Sequence, residues 1–108
     1  VVALEPTSSP ILTAGTKGGH NVEGIGLGFV PELLDAEFYD EARAIDEAEA
    51  RRTALRLARE EGIFAGTSTG MNVAGAIEIA KELGPGKTVV AIACDTGLKY
   101  LSEGLFSG

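Results

Sequence analysis

Residues 68–94 read STGMNVAGAIEIAKELGPGKTVVAIAC and combine a predicted helix with a predicted strand. From Ser68 the apolar residues recur at helical spacing until Gly84 and Pro85, which stop the helix. Residues 87–94 are then mostly small or β-branched and apolar, which predicts a buried strand. A helix that leads directly into an apolar strand is typical of α/β proteins.

The rest of the chain extends the same alternation. Residues 1–5 are predicted to form a strand buried on both faces, which Pro6 ends, and residues 37–45 a second strand. Between them lies a long Gly-, Ser- and Thr-rich loop over residues 7–28, followed by a helical turn after Pro31. The alternation predicts an α/β fold with mostly parallel strands and helices on the faces of the sheet.

A further helix is predicted between the second strand and residues 68–94. Asp46 and Glu49 have the spacing of a capping box at its start, and Gly62 has the position of a C-cap at its end. One face of this helix is apolar, with Ala50, Ala54 and Leu57 at helical spacing.

Composition excludes several classes of protein. A hydrophobic fraction of 44% with 23% charged residues is ordinary for a soluble globular protein. The net charge of -7 argues against binding to nucleic acid or to an anionic membrane surface. The chain has one cysteine, Cys94, and one histidine, His20, far apart in sequence, so a disulfide framework, a metal site and a Cys–His nucleophile are poorly supported.

Three segments contain residues that could bind a ligand or take part in catalysis. The first is Gly66-Thr67-Ser68-Thr69-Gly70, at the start of a helix. In one interpretation the Ser and Thr oxygens cap the free N–H groups of the first turn. In the other the segment is a ligand site, because a helix N-terminus offers N–H donors and partial positive charge.

The second segment runs from His20 to Phe29 and has glycines at alternate positions. It does not fit the dinucleotide motif G-x-G-x-x-G, because Phe29 stands where the third glycine is required. The remaining interpretations are a static or flexible loop, in which His20 is an ordinary exposed histidine, and a lid that closes over a ligand.

The third segment, Cys94-Asp95-Thr96-Gly97, follows the last predicted strand. Ligands of open α/β sheets bind beyond the carboxyl ends of strands, so Cys94 and Asp95 are well placed to line a pocket. The alternative is a buried cysteine that behaves as a small hydrophobe, followed by an Asx-type turn.

The order of these motifs resembles the C-terminal third of the cysteine synthase and cystathionine β-synthase family, which are pyridoxal-phosphate (PLP) enzymes of the tryptophan-synthase-β type. The resemblance covers essentially the whole chain, and it depends on five motifs in the right order rather than on one. They are Leu4-Glu5-Pro6, Ser9-Pro10, Glu23-Gly24-Ile25-Gly26 with Phe29-Val30-Pro31, Gly66-Thr67-Ser68-Thr69-Gly70 and Tyr100-Leu101-Ser102.

The resemblance implies a role for each motif. Ser68 would hydrogen-bond the pyridine nitrogen of PLP, and Cys94 would lie beside the ring, where many cysteine synthases have a proline. A neutral hydroxyl at a helix N-terminus disfavours protonation of the ring, which suits β-elimination and β-replacement over transamination. The segment Glu23, Gly24, Ile25 and Gly26 would be the loop that closes on the substrate. Glu23 and Asp95 match the cystathionine β-synthases better than the cysteine synthases.

Residues 1–108 are expected to be a C-terminal fragment of the larger PLP-binding domain, a partial three-layer sheet. The chain opens inside a strand and without a methionine, so it looks cut or processed. The family's Schiff-base lysine, in a Ser-x-Lys setting, would lie in an absent N-terminal domain. Lys17 has no serine two residues before it, so the chain alone is predicted to be inactive.

The implied function is that of a cytoplasmic cysteine synthase-like enzyme, which converts O-acetylserine and sulfide to cysteine and is a homodimer when full length. Its partners would be a small amino-acid substrate and sulfide or a thiol, with no nucleic acid, membrane or metal. The alternatives are a cystathionine β-synthase that uses serine and homocysteine, a serine or threonine dehydratase of the same fold, and a truncated, non-catalytic fragment.

Overall fold

In the part of the chain that the structure describes, two parallel strands form the sheet. The computed structural model describes residues 1–22, 25–26 and 28–98. Strand β1, Val2–Pro6, pairs with strand β2, Glu41–Ile45, from Val2 opposite Glu41 to Pro6 opposite Ile45. The parallel pairing confirms the prediction, although β1 is only half-buried until Glu5.

Strand β2 is shorter than predicted because its first residues form a different structure. A turn of 3-10 helix spans Ala36–Phe38, and the Asp35 carboxylate caps it by accepting a hydrogen bond from the Glu37 N–H at 2.9 Å. The turn predicted after Pro31 is present, since the Leu34 N–H donates to the Pro31 carbonyl at 3.0 Å.

The loop predicted over residues 7–28 contains one helical turn, so that prediction is wrong for helix α1, Ile11–Ala14. The turn depends on a buried carboxylate. Glu5 is 3% exposed, and its two oxygens accept hydrogen bonds from the N–H groups of Leu12 and Thr13, each at 2.7 Å. The free donors of a helix start are therefore satisfied by a residue of β1 rather than by a local cap.

Helix α2, Glu47–Arg56, begins where predicted. The Asp46 carboxylate accepts a hydrogen bond from the Ala48 N–H at 3.4 Å. The capping-box prediction fails in its second half, because the Glu49 carboxylate pairs with Arg52 instead of turning back toward Asp46. A π-helical turn over Leu57–Glu61 follows and ends at Gly62, as predicted.

Helix α3, Thr67–Leu83, starts one residue before the prediction and ends at Gly84. It packs against α2 and against both strands. Among the described residues, the main cluster of buried hydrophobic side chains lies where these elements meet and contains Val22, Ile45, Ala50, Met71 and Ala74. Leu4 and Ile25 pack against this cluster while remaining partly exposed.

The segment of residues 87–94, predicted to be a strand, has no hydrogen-bonded partner strand among the described residues, so the structure assigns no strand there. An open cavity of about 320 Å³ separates residues 88–92 from β1, and α3 forms its floor. Val90 is 83% exposed and Ile92 67% exposed. A strand needs a ladder partner, and within the described ranges this segment faces a cavity instead.

Candidate cofactor site

The first turn of α3 is the centre of the candidate site. Gly66 precedes the helix in an extended conformation, and Thr67, Ser68 and Thr69 are all buried. No side chain in the described part of the chain caps this helix start, so the capping interpretation of these residues is wrong. The turn therefore presents the partial positive charge of a helix N-terminus together with neutral hydroxyl groups.

The segment around Cys94 lies against this turn. The Cys94 N–H donates to Thr69 Oγ1 at 2.9 Å, and Asn72 Nδ2 donates to the Ile92 carbonyl at 2.9 Å. Asn72 Nδ2 is also 3.4 Å from Cys94 Sγ. The structure thus brings Cys94 to the residue that follows Ser68, although 25 positions separate Cys94 from its Thr69 partner.

Residues 96–97 attach the segment around Cys94 to residues 64–65, which precede α3. The Gly97 N–H donates to the Phe64 carbonyl at 3.0 Å, and Thr96 forms an isolated antiparallel bridge with Ala65. Cys94 is exposed, so the interpretation as a buried small hydrophobe is wrong. Asp95, between these attachments, is half-buried.

Gly70 serves helix packing rather than ligand approach. A Cβ atom at this position would overlap the Ala50 carbonyl oxygen and lie 2.9 Å from the Ala54 nitrogen, both in the backbone of α2. The close contact of α2 with α3 at this point thus requires glycine. One of the two glycines that bracket Thr67-Ser68-Thr69 is therefore explained by the fold.

The loop predicted to close on the substrate is only partly described: Ile25 and Gly26 are placed, whereas Glu23 and Gly24 lie outside the described residues. His20 joins the two sides of this loop. Its Nδ1 accepts a hydrogen bond from the Val22 N–H at 3.1 Å, so the ring proton is on Nε2, which donates to the Gly26 carbonyl at 2.8 Å.

His20 is half-buried rather than exposed, and the sequence interpretation missed its role. Gly26 has φ of 61°, and a Cβ atom there would overlap the His20 ring. Glycine is thus required at Gly26 for two independent reasons, conformation and space. The pair His20–Gly26 forms the closed base of the predicted loop.

Neither a metal centre nor a membrane span is found in the part of the chain that the structure describes. No group of three His, Cys, Asp or Glu side chains there could hold a metal ion. Among the same residues, no helix is both long and apolar enough to cross a bilayer.

Comparison with known proteins identifies the family. The sequence profile of pyridoxal-phosphate dependent enzymes matches residues 1–95. The chain belongs to this family. It is 45% identical over 107 residues to a cysteine synthase of Staphylococcus aureus and equally to a probable cysteine synthase of Bacillus subtilis. Each match covers 99% of this chain and 34% of the relative, so the chain spans about a third of their length.

Two solved structures have the same fold as this chain. The crystal structure of O-ureido-L-serine synthase matches with a TM-score of 0.93 at 45% identity, and cysteine synthase of Entamoeba histolytica with 0.92 at 33% identity. Both matches cover all of this chain and 34% and 32% of those proteins, respectively. These findings confirm the resemblance and the fold class predicted from the sequence.

Proposed function

We propose that this chain is the C-terminal third of a cysteine synthase-like enzyme that forms cysteine from O-acetylserine and sulfide by PLP-dependent β-replacement. The observation that carries the proposal is the first turn of α3, where a buried, neutral Ser68 lies next to the attached Cys94 segment. The relatives named cysteine synthase support the choice of reaction. In the complete protein we expect a homodimer, as the resemblance implies.

The residues of this turn fit the ring end of PLP. Ser68 would donate its hydroxyl hydrogen to the pyridine nitrogen, and Cys94 would lie beside the ring. Because Ser68 is neutral and the helix start is positive, this turn disfavours a proton on that nitrogen. When bound, PLP supplies the electron sink for the substrate carbanion.

The cofactor-binding lysine and further core residues are proposed to lie in the part of the enzyme outside this chain. The chain's lysines lack the Ser-x-Lys setting that the family uses for its covalent link to the cofactor. Val1, Val90 and Ile92 are each more than 60% exposed and line the same open cavity, and a contiguous apolar surface of this kind is typical of an interaction site. We propose that the other two thirds of the enzyme cover this surface and supply the lysine.

Residues 23–26 are proposed to contact the amino-acid substrate. The support is the loop base, where the His20 ring accepts a hydrogen bond from the Val22 N–H and donates one to the Gly26 carbonyl. Val22 and Ile25 belong to or touch the core cluster that includes Met71 of α3. Through this packing the loop base is attached to the helix that carries Ser68.

The test uses the complete protein with PLP, O-acetylserine and sulfide. We expect cysteine formation, and we expect Ser68→Asp to abolish most of it, because a carboxylate beside the pyridine nitrogen holds a proton on the ring. Absorbance of the bound cofactor measures that change directly. Ser8→Asp, the same change at an exposed serine, is the matched control.

Two results would contradict the proposal. One is a complete protein that binds no PLP, and the other is a Ser68→Asp variant whose cofactor absorbance equals that of the unmodified protein. Cystathionine β-synthase activity is the second candidate. It is favoured by Asp95, which lies half-buried at the attached segment and matches that branch of the family. Replacing sulfide by homocysteine in the same assay separates the two reactions.

A further inference from the structure

The segment of residues 92–94 is attached to α3 by side chains rather than by a strand ladder. Within the described ranges, no backbone-to-backbone hydrogen bond joins these three residues to another element. Their attachment consists of the bond from the Cys94 N–H to Thr69 Oγ1 and the bonds from Asn72 Nδ2 to the Ile92 carbonyl and to Cys94 Sγ.

Thr69 and Asn72 are three positions apart on α3 and therefore lie on one face of the helix. Thr69 is 2% exposed, and its hydroxyl oxygen is the acceptor of the Cys94 N–H. The amide orientation of Asn72 is determined by its partner, because the Ile92 carbonyl can only accept and so must face the NH₂ group. The two side chains hold the segment at both of its ends.

We propose that Thr69 and Asn72 are positioning residues that fix Cys94 against the first turn of α3 and thereby form the wall of the cofactor site beside Ser68. The part of this proposal that concerns the cofactor rests on the proposed function. The attachment of residues 92–94 to α3 follows from the hydrogen bonds alone. Neither side chain is proposed to touch the reacting atoms.

Thr69 and Asn72 can each be replaced by a residue of similar size that lacks the hydrogen-bonding group. Thr69→Val removes the acceptor oxygen at nearly constant volume, whereas Thr69→Ser keeps the hydroxyl. Asn72→Asp replaces the donor by a carboxylate oxygen that repels the Ile92 carbonyl. Lys81→Gln, an exposed position in the last turn of the same helix, is the control.

The experiment measures two quantities in the complete protein with PLP. The first is hydrogen exchange of the peptide that contains residues 92–94, and the second is the fluorescence of the bound cofactor. We expect Thr69→Val, which removes the acceptor of the Cys94 N–H, to speed exchange of that amide by about fivefold, the effect of one neutral hydrogen bond. Asn72→Asp should also speed exchange of this peptide, because it removes the donor that holds the segment at the Ile92 carbonyl. Both variants should also shift the cofactor fluorescence, and Thr69→Ser and Lys81→Gln should do neither.

The possible outcomes separate the attachment from the positioning role. Unchanged exchange in both variants overturns the attachment. Faster exchange with unchanged fluorescence, in a protein that binds PLP, overturns the positioning role and leaves the two residues as structural contacts. If the unmodified protein binds no PLP, the proposed function fails, and hydrogen exchange alone then decides the attachment. Faster exchange and shifted fluorescence, both restored in Thr69→Ser, support the proposal.

Discussion

Gly70→Ala is expected to destabilise the protein although alanine is the better helix former. Replacing glycine by alanine inside a helix gains about 1 kcal/mol of intrinsic propensity. Here the new methyl group would overlap the Ala50 carbonyl oxygen and lie 3.0 Å from the Ala50 carbonyl carbon. These atoms belong to the backbone of α2 and cannot rotate away, so the two helices must separate.

Overpacking of this kind costs roughly 3 kcal/mol at the upper end of its usual range. After the gain in propensity, the expected net loss is about 2 kcal/mol of the free energy of unfolding. The assay is urea unfolding of the complete protein followed by circular dichroism, with cofactor fluorescence as a second probe.

Gly75→Ala is the control on the same helix, since its methyl would meet only the flexible Leu4 side chain, 2.7 Å away. We expect this variant to lie within about 1 kcal/mol of the unmodified protein, because a side chain can shift where a backbone cannot. The reasoning is refuted if Gly70→Ala proves as stable as the unmodified protein, or if Gly75→Ala is the more damaging of the two.

Three further variants test other parts of the fold and site. Glu5→Gln should lower the free energy of unfolding by about 1–3 kcal/mol, because its NH₂ group would face one of the two N–H donors that the carboxylate now accepts. Urea unfolding with the exposed Glu61→Gln as control measures this, and equal losses in both would contradict it. His20→Phe should speed hydrogen exchange of the Val22 amide severalfold, and an unchanged rate would argue against the closed loop base. Gly24→Val should slow turnover with little effect on PLP binding; loss of folding instead would favour a static turn over a lid.

The helices could be predicted from the sequence because their signals are local. Asp46 marks the start of α2, Gly62 the end of the π-helical turn that follows it, and Gly84 the end of α3, each where the structure has it. Helix α1 could not be found in this way, because its start is satisfied by the Glu5 carboxylate of a separate strand. Residues 87–94 have the composition of a strand, but strand formation also requires a neighbour, which composition does not contain.

The candidate site is predictable only in outline. The rule that ligands bind beyond the carboxyl ends of strands places the Cys94 segment near a site, and the structure puts it against the first turn of α3. The roles of Thr69 and Asn72 are not predictable, because their partners lie at least 20 positions along the chain. The packing role of Gly70 is not predictable either, because its contact with α2 is visible only in three dimensions.

The geometry of the helix explains how one turn can serve three purposes. Successive residues of an α-helix are rotated by about 100°, so Ser68 lies about 200° from Gly70 and on the side away from α2. Thr69 lies between them, and Asn72 lies between Ser68 and Thr69, about 40° from the first and about 60° from the second, so that both Thr69 and Asn72 reach residues 92–94. The three faces predict three separable effects. Gly70→Ala should change stability, Thr69→Val should loosen the Cys94 segment, and Ser68→Asp should change the protonation of the ring nitrogen of the proposed cofactor and with it the activity. A Ser68→Asp variant that unfolds as easily as Gly70→Ala would show that these faces do not act independently.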